Sequence, residues 1–285
     1  MIALGTRTLA PQAWREREAA HTERAERLTA DHRDRRRRGE AHPVEDFLFT
    51  YYSYSPGLLR RWHPGVATEL AEAEERLSWR WYRPGETAGS TVVDAGAFRA
   101  EKAGLLAAVE RILRSTANRA PSFGCFGLHE WAMVYRQGEH RHPVPLRLGQ
   151  DGTDAVVDAH ELRCTHFDAY RFFTPEAAPR NARVLTREMQ AEFEQPGCLH
   201  AGMDIYKWAV KLGPLVPGEL LLDAFELARD IRALDMAASP YDLAPWGLAP
   251  VMIETPEGKA EYGRRQRAFA ERSQGLRTRL LAAAF

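Results

Sequence analysis

The sequence predicts a predominantly α-helical α+β fold with a small antiparallel β hairpin or sheet. Apolar residues recur at helical spacing over residues 98–118 and 257–281 and in two runs that start near His200 and near Glu219. Gly213-Pro214 and Pro217-Gly218 cut the central apolar stretch into two helices joined by a tight turn. Short strand-like patterns occur at residues 79–85 and 91–94, and a hairpin pattern at 138–162, where Gly152 sits in the connection.

The elements follow in order. Residues 11–38 read as a polar helix ending in an arginine run and Gly39, a solvated end or a phosphate contact. This charged N-terminal extension, residues 1–41, precedes a single α-rich domain, residues 42–285. Pro43 with Glu45 and Asp46 opens a helix whose aromatics, Tyr51, Tyr52 and Tyr54 among them, cover most of its circumference. The loop at 120–127 sets two glycines among aromatics and leads into His129, Glu130 and Trp131. Neighbours in a helix or strand diverge, so His129 and Glu130 share one small site only if they lie in a loop. Residues 164–173 read as extended, with His166, Asp168 and Tyr170 on one face. Residues 186–194 form a short charged helix, and 251–254 a last strand, before the arginine-rich terminal helix.

At 285 residues and 45% hydrophobic composition, the chain can bury a full core. No apolar run approaches the ~18 residues that span a bilayer, and the N-terminus lacks a basic-then-apolar pattern. No membrane association and a cytoplasmic location are therefore expected. Cys125, Cys164 and Cys198 are odd in number and widely spaced, which suits reduced thiols. The formal net charge is +0. Binding to duplex DNA would thus require positive charge gathered on one face, with candidates in residues 33–38, Lys207, Lys211 and residues 264–279.

Candidate chemistry concentrates in the central helix pair. His200 and Asp204 stand one turn apart, and Asp223, Glu226 and Asp230 form an acidic stripe on the next helix. If those rows face one another, His200, Asp204, Glu226 and Asp230 make a ligand set for a hard or iron-type divalent metal. A solvated acidic face balanced by Arg229 and Arg232 explains the same stripe. His166 and Asp168 are close enough to share a proton or a cation, and Tyr52, Trp131 and Tyr206 are candidate aromatic walls of one concave site.

The segments HPVEDFLFTYYSYSP, FGLHEWAMVYR, LRCTHFDAYRFF, PGCLHAGMDIYKWA and LLDAFELARDIRALDMAASPYD resemble a group of actinobacterial proteins commonly labelled 3-methyladenine DNA glycosylase. The likeness runs from about His42 to the C-terminal helix. It implies excision of alkylated bases from DNA, with a flipped base held by aromatics and an aspartate stabilising a sugar cation. Val216-Pro217-Gly218 before a helix loosely resembles the hairpin of such enzymes, which would make Asp230 or Asp235 catalytic. The hairpin's second glycine is absent, however, and Glu219 and Asp223 would oppose a phosphate.

Under that reading Asp204, Asp230, Asp235 and His166 are the candidate catalytic residues, and Tyr52, His129, Glu130, Trp131, Asp168, Tyr206 and Lys207 would contact the ligand. Two other functions are open: a non-haem iron or manganese type enzyme acting on a small molecule, and a non-catalytic binding protein with an aromatic pocket.

Overall fold

A computed structural model describes residues 7–138 and 144–285. The chain runs β1 (Arg7–Leu9), α1 (Pro11–Arg38), α2 (Phe47–Tyr51), α3 (Pro56–Leu59), β2 (Thr68–Ala71), β3 (Tyr82–Pro84), β4 (Ser90–Val93), α4 (Ala95–Glu101) and α5 (Ala103–Ala117). There follow α6 (Leu128–Ala132), α7 (Gly149–Asp158), α8 (Phe167–Tyr170), α9 (Gln190–Phe193), α10 (Leu199–Leu212), α11 (Gly218–Ala237) and α12 (Pro256–Ala284). The fold is predominantly helical α+β.

Its sheet is mixed, where the sequence predicts an antiparallel one. The strand order is β1-β2-β4-β3; β1 runs parallel to β2, and the other two pairings are antiparallel. The parallel member comes from the short segment before α1, whose three residues are too few to carry an alternation signal.

The predicted hairpin over 138–162 is not formed among the described residues. Gly149–Asp158 is the helix α7, and Thr153, Val156 and Val157 turn inward. Their i, i+3, i+4 spacing is helical, and it overrides the β-branched composition. Part of the proposed first strand, His142 and Pro143, lies outside the described residues; Leu146 makes only an isolated bridge to Tyr241. The proposed strand at 251–254 is irregular, tied down by Val251 N–H donating to Ala237 O at 2.7 Å. The aromatic helix after Pro43 breaks into α2 and α3, with Ser53 at φ 51° between them.

α10 organises the molecule. Ten of its fourteen residues are buried, on every side of the helix, as expected for a helix enclosed by others. The 3₁₀ turn Gly213–Leu215 returns the chain into α11, so the two predicted helices pack directly on one another, and α12 closes over both. At Gly202 the three pack tightly: a Cβ there would stand 2.7 Å from Ile231 Cδ1 and 2.8 Å from Ser273 Oγ. Glycine lets the backbones approach at a point where any side chain would collide. Among the described residues no helix is long and apolar enough to cross a membrane.

Candidate functional site

Two charged clusters lie beneath the surface on either side of His200. In the first, His129 Nε2 is 2.7 Å from Asp235 Oδ1, and Arg232 Nη1 donates to Asp235 Oδ2 at 2.9 Å and to Glu130 Oε1 at 3.0 Å. His129, Glu130, Arg232 and Asp235 are all buried. The expectation that His129 and Glu130 diverge is corrected here. They lie on α6 rather than in a loop, yet they end on two α11 groups that stand one turn apart and bond to each other. Burial opposes the charge on His129, but Asp235 and then Cys125 hold its pKa well above the usual value. Asp235 is correspondingly depressed against burial, chiefly by His129. The cluster is therefore two carboxylates matched by a guanidinium and an imidazolium.

In the second cluster, His166 Nε2 faces Asp204 Oδ2 at 3.3 Å and Glu194 Oε2 at 3.5 Å. Lys207 Nζ donates to Asp204 Oδ2 and Asp168 Oδ2, both at 2.8 Å, and the Tyr52 hydroxyl reaches Asp204 Oδ1 at 3.4 Å. Gln190 Nε2 donates to Glu194 Oε2 at 2.8 Å. Burial pushes the Glu194 carboxyl up; it pushes Asp204 up too, but Lys207 and His166 more than offset it, so Asp204 stays a carboxylate. Lys207 is raised against burial by Asp204 and Asp168. The segment at 164–173 is not one extended run: His166 is extended, but Phe167 opens α8. Asp168 nevertheless joins His166 at this cluster through Lys207, while Tyr170 packs on Phe173.

His200 joins the two halves, its ring edge-on to His129 at 4.4 Å and stacked on His166 at 5.3 Å. Burial, reinforced by His129, drives its pKa down to about 3, so the ring is neutral. Tyr52, Cys198 and His200 are half-buried. The Nδ1 atoms of His166 and His200 are buried without a hydrogen-bond partner among the described residues.

Of the predicted site residues, His129, Glu130, His166, Asp168, His200, Asp204, Lys207, Asp235 and Tyr52 come together here. Trp131 and Tyr206 are fully buried walls; the Trp131 indole donates to Ala238 O, and Tyr206 lies edge-on to Tyr52 at 5.4 Å. Glu226 and Asp230 do not join the centre. Glu226 pairs with Arg24 of α1, and Asp230 with Arg272 of α12 at 2.6 Å. The acidic stripe faces outward because Arg232 and Asp235 occupy the inward face of α11. Sequence reasoning missed Glu194 and Arg232 as members and Cys125 as a neighbour; Glu194 looks like part of a charged surface helix until Gln190, one turn back, is seen to be buried with it.

Two donor groups could hold an ion: His129, Glu130, His200 and Asp235, or His166, Glu194 and Asp204, with the donor atoms of each group within 4.8 Å of one another. Distances separate them. The first is held at hydrogen-bond length by the contacts of Asp235 with His129 and Arg232, and in the second Lys207 donates to Asp204 Oδ2 at 2.8 Å. The separations of 3.3 and 3.5 Å from His166 to its two carboxylates are instead those between donors set tetrahedrally around an ion with bonds of about 2.0–2.2 Å, roughly 3.3–3.6 Å.

No family model matches the chain, and neither the curated proteins nor the solved structures contain a significant match to it.

Proposed function

We propose that the chain is a metal-dependent enzyme acting on a small molecule, with a divalent transition ion held by His166 Nε2 and the carboxylates of Glu194 and Asp204. The carrying observation is the spacing of these three buried donors. Three protein ligands leave a coordination position open, as catalytic sites require. An ion there would supply Lewis-acid polarisation of a substrate oxygen. The chain's own contribution is positioning. Lys207 and Tyr52 orient Asp204, Gln190 orients Glu194, and the neutral ring of His200 stacks on His166. The burial of all three donors favours a small substrate over a polymer. We place the enzyme in the cytoplasm, where its three free thiols would stay reduced.

Calorimetric titration of chelator-treated protein with Zn²⁺ and Mn²⁺ tests this reading. One tight site per chain is expected, lost in His166→Ala and Asp204→Asn and retained in Asp230→Asn. Absence of binding, or binding indifferent to the first two substitutions, overturns it.

The glycosylase resemblance supports a second reading at the same centre, favoured by one observation. The Tyr52 hydroxyl touches Asp204, and the rings of Phe47, Tyr51 and Tyr206 lie around Tyr52, which would wall a flipped base beside a carboxylate. It ranks second because several of the candidate arginines are paired within the chain. Arg35 pairs with Glu45 and Asp46, Arg38 with Glu40, Arg264 with Glu261, and Arg279 with Asp223. Release of 3-methyladenine from alkylated DNA, abolished in Asp204→Asn, would reverse the ranking.

A further inference from the structure

The 120–127 loop brings Cys125 to the side of His129 that faces away from Asp235. Cys125 Sγ lies 3.4 Å from His129 Nδ1, while Nε2 of the same ring lies 2.7 Å from Asp235 Oδ1. With Nε2–H donated to the carboxylate, Nδ1 is the atom that exchanges a proton with the thiol, and the reacting form is the one in which Nδ1 has lost its own proton. Thiol, imidazole and carboxylate in this order form a nucleophile, its base and the group that orients the base. Cys125 also keeps accessible surface, whereas Cys164 is buried and burial raises the Cys198 thiol far above its usual range.

An independent group points into the same place. Tyr262 of α12 is only 1% exposed. It borders the cysteine loop: a Cβ on Gly127 would stand 3.6 Å from the hydroxyl and 3.3 Å from the ring. Gly127, at φ 76°, lets the loop pass this close to the phenol. A phenol hydroxyl beside a thiol is a donor suited to a ligand oxygen.

We propose that Cys125, His129 and Tyr262 are catalytic residues of a second chemistry, transfer of the acyl group of a small ester or thioester to the thiol and then to water, with Asp235 as a positioning residue. The metal reading is not required for it. Sγ forms a bond to the acyl carbon as the thiol proton passes to His129 Nδ1, and the carbonyl π electrons move to oxygen, which accepts from the Tyr262 hydroxyl. Collapse expels the alcohol or thiol, which takes the proton from Nδ1 and leaves a thioester on Cys125. Water, deprotonated by Nδ1, attacks the thioester; the free acid departs, and the proton returns to sulfur. The net reaction is ester plus water to acid plus alcohol.

The test uses the full chain and p-nitrophenyl acetate. A burst of nitrophenolate equal to the protein concentration is expected, with the acetyl group located on Cys125 by peptide mass spectrometry. Cys125→Ser should abolish the burst and His129→Gln should slow it. Tyr262→Phe should slow it about 100-fold, as loss of one oxyanion donor does, with the label still on Cys125. Asp235→Asn should move the rise of the burst rate to lower pH, a shift of the pH profile that a purely structural role would leave unchanged. A burst that survives in Cys125→Ser, or a label on Cys198 or on lysines, overturns the proposal. So does acetylation of Cys125 no slower in His129→Gln than in the wild-type chain.

Discussion

His129 and Asp235, 106 residues apart in sequence, share a 2.7 Å hydrogen bond with almost no solvent access to either side chain. The bond ties α6 to the inward face of α11, and Arg232 completes it. Removing one partner of a buried ion pair leaves the other uncompensated, which costs about 3–5 kcal/mol. Asp235→Ala should therefore lower stability by about that amount, measured by urea unfolding followed by circular dichroism. A loss below about 1 kcal/mol would mean that the pair is not formed.

The outward acidic stripe should behave differently. Glu226 and Asp230 pair with arginines at partly exposed positions, where ion pairs contribute about 0–1 kcal/mol. Glu226→Gln and Asp230→Asn should each change stability by less than about 1 kcal/mol and leave ion binding unaffected. Loss of ion binding in either variant would return the stripe to the site.

Stability should peak near pH 6.5 in the chelator-treated protein. Burial first, and Arg76 second, lower His63 to about 4, so it is neutral in the folded state. Its contribution is fully present above the unfolded value of 6.5 and is lost as pH falls toward about 4. His129 is raised, so its contribution is present below 6.5 and lost as pH rises through its folded value. Each group contributes a slope approaching ~1.4 kcal/mol per pH unit on its own side. Melting temperatures recorded from pH 4 to 9 should fall in both directions. A plateau through the alkaline range would show that His129 is neutral in the folded protein.

Gly202→Ala should destabilise the α10, α11 and α12 contact. The added Cβ would collide with Ile231 and Ser273, both buried, and overpacking of this kind costs about 1–3 kcal/mol. A fall in the denaturant midpoint is expected. A neutral or stabilising effect would show that the three helices have room to separate.

Much of the helical frame was legible in the sequence, because Gly213, Pro214, Pro217 and Gly218 mark the turn between α10 and α11 and the apolar spacing marks the helices themselves. His200 and Asp204 stand one turn apart on α10, as their four-residue spacing predicts, but they fall in different donor groups. Which face of α11 turns inward was not legible. Its acidic residues at i, i+3 and i+4 look like a ligand row, but only the fold shows that arginines from α1 and α12 meet them while Arg232 and Asp235 point inside. Glu194 and Cys125 reach the centre from loops and a single helical turn, whose positions depend on contacts far away in sequence. Val156 and Val157 favoured a strand by composition, yet their adjacency to Thr153 on one helical face decided the outcome.

The metal centre itself is tested most directly by anomalous X-ray diffraction from crystals of the chain grown with Mn²⁺ or Zn²⁺. The account predicts an anomalous peak bounded by His166 Nε2, Glu194 and Asp204, at about 2.0–2.2 Å from each, and absent in His166→Ala crystals. A peak beside His129 and Asp235 instead, or no peak in the centre at all, would contradict it.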